Sequence, residues 1–373
     1  MWDEMSGKTV INPNQLFAML LLFEAFGTAL VVPIGFRVGQ GVWLAILIAM
    51  PAGILLYLLY DYLLRQYPDL ILSGYLRVIF GNYIGSLFSL IYINYFVYNA
   101  ARILREGGDL LISASYDRTP SLVVHAVMIA AVIYILHKGI EVFFRLAEIY
   151  IIIILTLASI ATLTILLSGV FEPRNLLPLT GEGWTSILRS AYPYIFTFPF
   201  SELICFTTIL PHLNNVHSAR KIGLTAIIIS AAILSMTHAM DVAVLGDEIY
   251  SRTTFPLFTT ISIVRIGEFL QRLDAIVMLT LIIGVFFKMS VYCYAVMALV
   301  SDIFKIAEQR KLAYPVGIVV LFLSIMSAWS FPEHNEEGQV GLEIILPSLS
   351  VVIPVLAIII HWIRKRLNLY PAN

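Results

Sequence analysis

The chain has 373 residues, 60% of them hydrophobic and 13% charged, with a formal net charge of −1 and a mean hydropathy of +0.89. Soluble domains hold about 45–50% apolar residues, so this composition belongs to a polytopic membrane protein in a lipid bilayer and leaves no room for a soluble domain. The near-neutral charge excludes nucleic acid as a partner, because phosphate binding requires a basic face.

Residues 1–12 are polar, and the apolar run that follows is too long for a secretory signal and has no small-residue cleavage site; it is expected to remain as an anchor. Stretches able to cross the ~30 Å hydrocarbon core follow in chain order at 16–35, 42–60, 83–101, 122–136, 143–170, 190–211, 222–244, 275–300, 314–330 and 344–362. The third and eighth continue as helical patterns to about Leu111 and Phe304 and are expected to be long and tilted. The first is interrupted at Gly27-Thr28-Ala29 and at Pro33, the sixth around Thr197-Phe198-Pro199 with Pro193 one turn earlier. A broken helix exposes N–H and C=O groups that hydrocarbon cannot satisfy, so it persists only beside a cavity or a bound solute. Breaks at corresponding places in two halves mark a transporter-type site. The pattern predicts an all-α membrane protein of about ten transmembrane helices, folded as one domain over 1–373. Its 5+5 inverted repeat has broken helices 1 and 6, with repeats over about 11–170 and 186–363.

Lys and Arg in the connections set the orientation. With the N-terminus inside, the inner segments carry thirteen of them, ending in Arg364-Lys365-Arg366, and the outer segments nine. Both termini are therefore expected in the cytoplasm. Trp43, Trp184, Trp329 and Trp362 stand within a few residues of span ends, as an aromatic belt requires. The semi-apolar segment 253–269, between spans 7 and 8, is either a lid-like helix or hairpin on the outer surface or an ordinary loop.

An ionisable side chain at a helix centre costs roughly 2.5–3.5 kcal/mol on insertion scales, so each one needs a reason. Glu24 precedes the span 1 break by one turn, Glu202 follows the span 6 break by one turn, and Lys288 lies near the middle of span 8. Glu24 and Glu202 are the two candidate partners for Lys288. The three form either an ion relay or a structural ion pair that fixes helix packing. His238 and Asp241, toward the outer end of span 7, are expected near the interface. Tyr92, Tyr95, Asn99 and Arg102 share one face of span 3, with Tyr98 beside them. That stripe lines a ligand or water path, or joins helices by hydrogen bonds; Tyr95 and Tyr98 have the depth of cavity-facing residues. At the breaks, Gly27 and Ala29 let backbone approach a ligand and Thr28 adds a hydroxyl. The candidate ligand-binding set is Gly27, Thr28, Ala29, Tyr95, Tyr98, Thr197, Phe198 and Pro199.

The sequence holds no phosphate-binding loop, zinc-peptidase motif, nucleophile elbow or metal-type cluster, so no enzyme activity, metal or cofactor is expected. Cys205 and Cys293 lie inside apolar spans as small packing residues.

Several stretches together resemble one family. They are Gly27-Thr28-Ala29-Leu30-Val31-Val32-Pro33, the Asn175-Leu176-Leu177-Pro178-Leu179-Thr180-Gly181-Glu182-Gly183 segment after span 5, and Glu202 with Leu210-Pro211-His212. Thr260-Ile261-Ser262 and Trp329 with Pro332 complete the set. The chain resembles, over nearly its whole length, the B subunits of bacterial spore germination receptors, the endospore germination permeases. The resemblance implies a LeuT/APC-like fold of the amino acid–polyamine–organocation transporter superfamily. It implies residence in the spore inner membrane beside an A subunit and a lipoprotein C subunit. It also implies a nutrient sensor that binds a small germinant, an amino acid or sugar, at the midplane between 27–29, 197–199, span 3 and span 8. Lys288 departs from the family's pattern. The competing expectation is a proton-coupled secondary amino-acid transporter with Glu24, Glu202 and Lys288 as its relay.

Overall fold

The computed structural model describes residues 11–34, 38–114, 116, 118–180, 183–264, 273–326 and 341–367. The apolar runs fold into helices. The first, α1 (Pro13–Glu24), starts with a proline at its first position, where the missing N–H costs nothing, and the Asn12 N–H donates to Gln15 Oε1 at 3.0 Å. It stops at Glu24, and the chain resumes as the short α2 (Thr28–Val31). Then come α3 (Val42–Gln66), α4 (Leu72–Phe80), α5 (Asn82–Ala114), α6 (Ser121–Lys138), α7 (Ile140–Leu167) and α8 (Trp184–Arg189). The later helices are α9 (Ala219–Arg252), α10 (Pro256–Ile263), α11 (Leu273–Phe304), α12 (Ala313–Met326) and α13 (Ile353–Arg366). The extensions of spans 3 and 8 are present, to Ala114 and Phe304.

Among the described residues, nine helical stretches are long and apolar enough to cross a membrane. The sixth of the ten expected spans is not one of them. It is a wide turn over Ser190–Ile195, with extended backbone at Tyr192, followed by a tight 3-10 run over Phe200–Thr208. Pro193 and Pro199 remove two donors and keep an α-helix from forming. The last span also opens with wide turns, Gly341–Ile345 and Ser348–Val352. Tyrosines take the carbonyls these turns leave: Tyr92 donates to Leu349 O at 2.5 Å and Tyr60 to Ser350 O at 2.6 Å.

The first span and α11 are the most buried and form the bundle's centre; α5 and α11 share its most extensive helix–helix interface. Their contact at the span 1 break depends on Gly284, where a Cβ would sit 1.5 Å from the Phe26 carbonyl oxygen. On the periphery, α7 and α12 turn Ile149, Ile152, Leu163, Ile318 and Phe322 outward, as a surface facing hydrocarbon requires. Within 253–269, Pro256–Ile263 is helical, and 265–269 lie outside the described residues. Trp329, Pro332, Gly181 and Glu182 also lie outside them. Asn175 docks its loop on α9, its side-chain amide donating to Ala243 O at 2.9 Å.

Candidate functional site

Where the first span stops and the sixth loses its helix, the bundle holds a partly open cavity of about 300 Å³. Thr28, Val32 and Pro33 supply one wall. Tyr95, Tyr98, Asn99, Arg102, Ile103 and Glu106 form a second, along α5. Phe198 and Glu202 bound it on the side of the sixth span, while 251–254 and Gly341, Leu342, Ile345 and Leu346 close the rest. The 251–254 segment reaches that position because α9 kinks at Gly246, whose φ of +73° is open to glycine and strained for other residues.

Behind Glu202 lies a buried ion pair. Lys288 donates to Glu202 Oε2 at 2.5 Å, and the Tyr292 hydroxyl donates to Glu202 Oε1 at 2.8 Å. The Lys288 ammonium also stands 5.1 Å from the ring centre of Phe23 and 4.7 Å from that of Phe198, within cation–π range. Arg102 donates to Glu106 Oε1 at 3.4 Å and to the Tyr98 hydroxyl at 3.4 Å. The charges at the cavity wall thus meet opposite charges within the protein. The Tyr95 hydroxyl is buried beside the cavity, with Asn99 and Tyr292 as its side-chain neighbours.

Of the eight candidate ligand-binding residues, Thr28, Tyr95, Tyr98 and Phe198 line the cavity, and Glu202 joins them from the ionisable set. Gly27, Ala29, Thr197 and Pro199 are adjacent in sequence and do not border it. At Gly27 the neighbour is Lys288, whose Cδ lies 2.6 Å from where a Cβ would stand. The Ala29 carbonyl meets His238 Nε2 at 3.1 Å, and His238 Nδ1 meets the Tyr250 hydroxyl at 2.9 Å. His238 and Asp241 are fully buried in the protein, with Asp241 accepting from Thr260 of α10 at 2.7 Å. Sequence reading missed Glu106 and Tyr292, although each stands four residues beyond a residue it had singled out, Arg102 and Lys288. It also missed the rim at 251–254 and 342–346, which carries no local signal.

Fold and cavity together define a multi-pass helical membrane protein whose fold is related to that of LeuT-like transporters. Mhp1, a nucleobase-cation-symport-1 family transporter with bromovinylhydantoin bound, superposes with a TM-score of 0.68 at 14% identity, covering 94% of this chain and 78% of that one. MhsT in complex with L-phenylalanine gives 0.61 at 14%, covering 92% and 87%. The sequence places the chain more narrowly: it belongs to the spore germination protein family of permeases, whose model matches residues 10–332. Spore germination protein KB of Bacillus subtilis (strain 168) is 38% identical over 361 residues, 96% of each chain, and spore germination protein YndE of the same organism is 24% identical over 330 residues, 87% of this chain and 88% of its own. The chain is accordingly a germinant-receptor-type membrane protein.

Proposed function

We propose that the chain is the nutrient-sensing subunit of its receptor and that the 300 Å³ cavity receives the germinant, an amino acid or sugar, at the bilayer midplane. One observation carries this reading: a cavity lined from the first span, α5 and the sixth span, with the Tyr95 hydroxyl buried beside it. In this reading Thr28, Tyr95, Tyr98 and Phe198 contact the ligand. Gly27, Ala29, Thr197 and Pro199 hold the backbone around it, and Glu202 with Lys288 forms the charged floor. The interruptions of the first and sixth spans belong to two inverted five-helix repeats. Both termini face the cytoplasm, and the subunit sits in the spore inner membrane with an A subunit and a lipoprotein C subunit.

Germination of spores carrying Thr28→Val or Tyr95→Phe, scored against a panel of amino acids and sugars, tests this. A rise of about tenfold or more in the nutrient concentration required, matching the ~1.4 kcal/mol of one lost hydrogen bond, is expected for at least one nutrient. Unchanged thresholds for both variants across the panel would remove the cavity from ligand recognition. The likeness of fold to two transporters favours a second reading, proton-coupled amino-acid transport. Concentrative uptake of labelled amino acid by the purified protein in liposomes would select it.

A further inference from the structure

Beside the Lys288–Glu202 pair lies an ionisable side chain outside it. Glu24, the last residue of α1, is wholly buried, and neither carboxyl oxygen meets a hydrogen-bond donor among the described residues. The groups that act on it electrostatically are Lys288 and Glu202, and it acts in turn on Cys205. The other elements packed against α1 direct their charges elsewhere. On α7, Glu141 and Arg145 pair at 3.9 Å on the exposed side, and Glu148 is half-buried. On α9, His238 is held by Ala29 and Tyr250, and Asp241 by Thr260. On α11, Tyr292 is committed to Glu202, and Cys293 is buried.

The cluster therefore holds one ammonium and two carboxyl groups in an apolar interior. Glu202 has a donor at each oxygen, Lys288 at one and Tyr292 at the other. A second carboxylate with no donor would be an uncompensated buried charge, among the costliest groups a protein can hold. The lysine stem passes over Gly27, three residues beyond Glu24, on its way to Glu202.

We propose that Glu24 is a proton-binding site: it is the neutral acid while Lys288 pairs with Glu202, and it releases its proton when Lys288 changes partner. If Glu202 is neutralised, or drawn to a cationic group in the cavity, the ammonium turns to Glu24. The Glu24 O–H bond then breaks, its electron pair stays on the carboxylate, and the proton passes to water. The lysine's charge is matched by one carboxylate before and after. Only the link to cavity occupancy rests on the function proposed above; the proton's location stands without it.

Infrared spectroscopy of the purified full-length protein at neutral pH detects the C=O stretch of protonated carboxyl groups and needs no ligand, so it fails or succeeds independently of germinant binding. The wild-type-minus-E24Q spectrum should show the band of one protonated carboxyl, contributions common to both, such as Asp241, cancelling. Lys288→Met should gain the intensity of one further carboxyl, as Glu202 loses its counter-ion. Glu202→Gln should lose the Glu24 band, because Lys288 re-pairs. No band in the first difference would overturn the proton site, and a Glu24 band surviving in E202Q would overturn the exchange. Should E24Q not yield folded protein, Glu24→Leu, which puts no polar group in the apolar site, serves in its place.

Discussion

The carboxylate of Glu202 is tolerable inside the bundle because two donors reach it, and the donors differ in weight. Lys288→Met alone leaves Glu202 without its counter-ion, so that the buried acid must take up a proton, and should lower stability by on the order of 3 kcal/mol; the double variant with Glu202→Gln should regain more than half of that. Tyr292→Phe removes a single charge-assisted hydrogen bond and should cost about 1.5–3 kcal/mol. Unfolding midpoints in one detergent check both statements, with wild type, Lys288→Met, Glu202→Gln and their double variant taken as a double-mutant cycle and Tyr292→Phe measured beside them; an additive cycle would mean that the pair contributes nothing as a pair. At this scale the sequence told much. The price of a charge in hydrocarbon singled out Glu24, Glu202 and Lys288 at once. It did not say which acid the lysine takes, because that depends on the register of α11 against the sixth span, which no local pattern encodes. Gly27 was legible as a close-approach residue, while the neighbour it admits, a lysine stem rather than a solute, became visible only with both helices in place.

Elements meet at the span 1 break through small residues, and the obstacle each would strike differs in kind. A methyl at Gly284 runs into the Phe26 backbone at 1.5 Å, whereas one at Gly27 meets both the Phe23 carbonyl at 2.5 Å and the movable Lys288 stem at 2.6 Å. Gly284→Ala should therefore abolish accumulation of folded protein in membranes, and Gly27→Ala should reduce it less, as measured by detergent-resistant monodisperse protein on size exclusion. Replacing His238 by Phe would orphan the Ala29 carbonyl, with an expected loss of about 1–3 kcal/mol in the same unfolding assay. The apolar runs located nine helical spans because twenty or so apolar residues admit few alternatives in lipid. The sixth run was apolar enough to cross and carries Pro193 and Pro199; the backbone donors those prolines lack decided its form.

For the whole molecule, burial divides the helices into a central pair and an outer ring. A spin label at Ile152 or Phe322 should show high oxygen accessibility in liposomes, and one at Val285 very little; the reverse would contradict the arrangement. The cavity draws on both layers of this plan and on distant parts of the chain: Thr28 stands near one end of its lining in sequence and Leu346 near the other. The rim contributed by 341–346 was beyond sequence reading because those residues lie over three hundred positions from Thr28 and bear no motif. This spread governs when the vessel comes into being. A ribosome-bound chain that still lacks its last span owns most of the polar lining yet has no Gly341, Leu342, Ile345 or Leu346 to complete the wall. Only arrival of that segment finishes the lining, so the cavity is among the last features the nascent protein acquires.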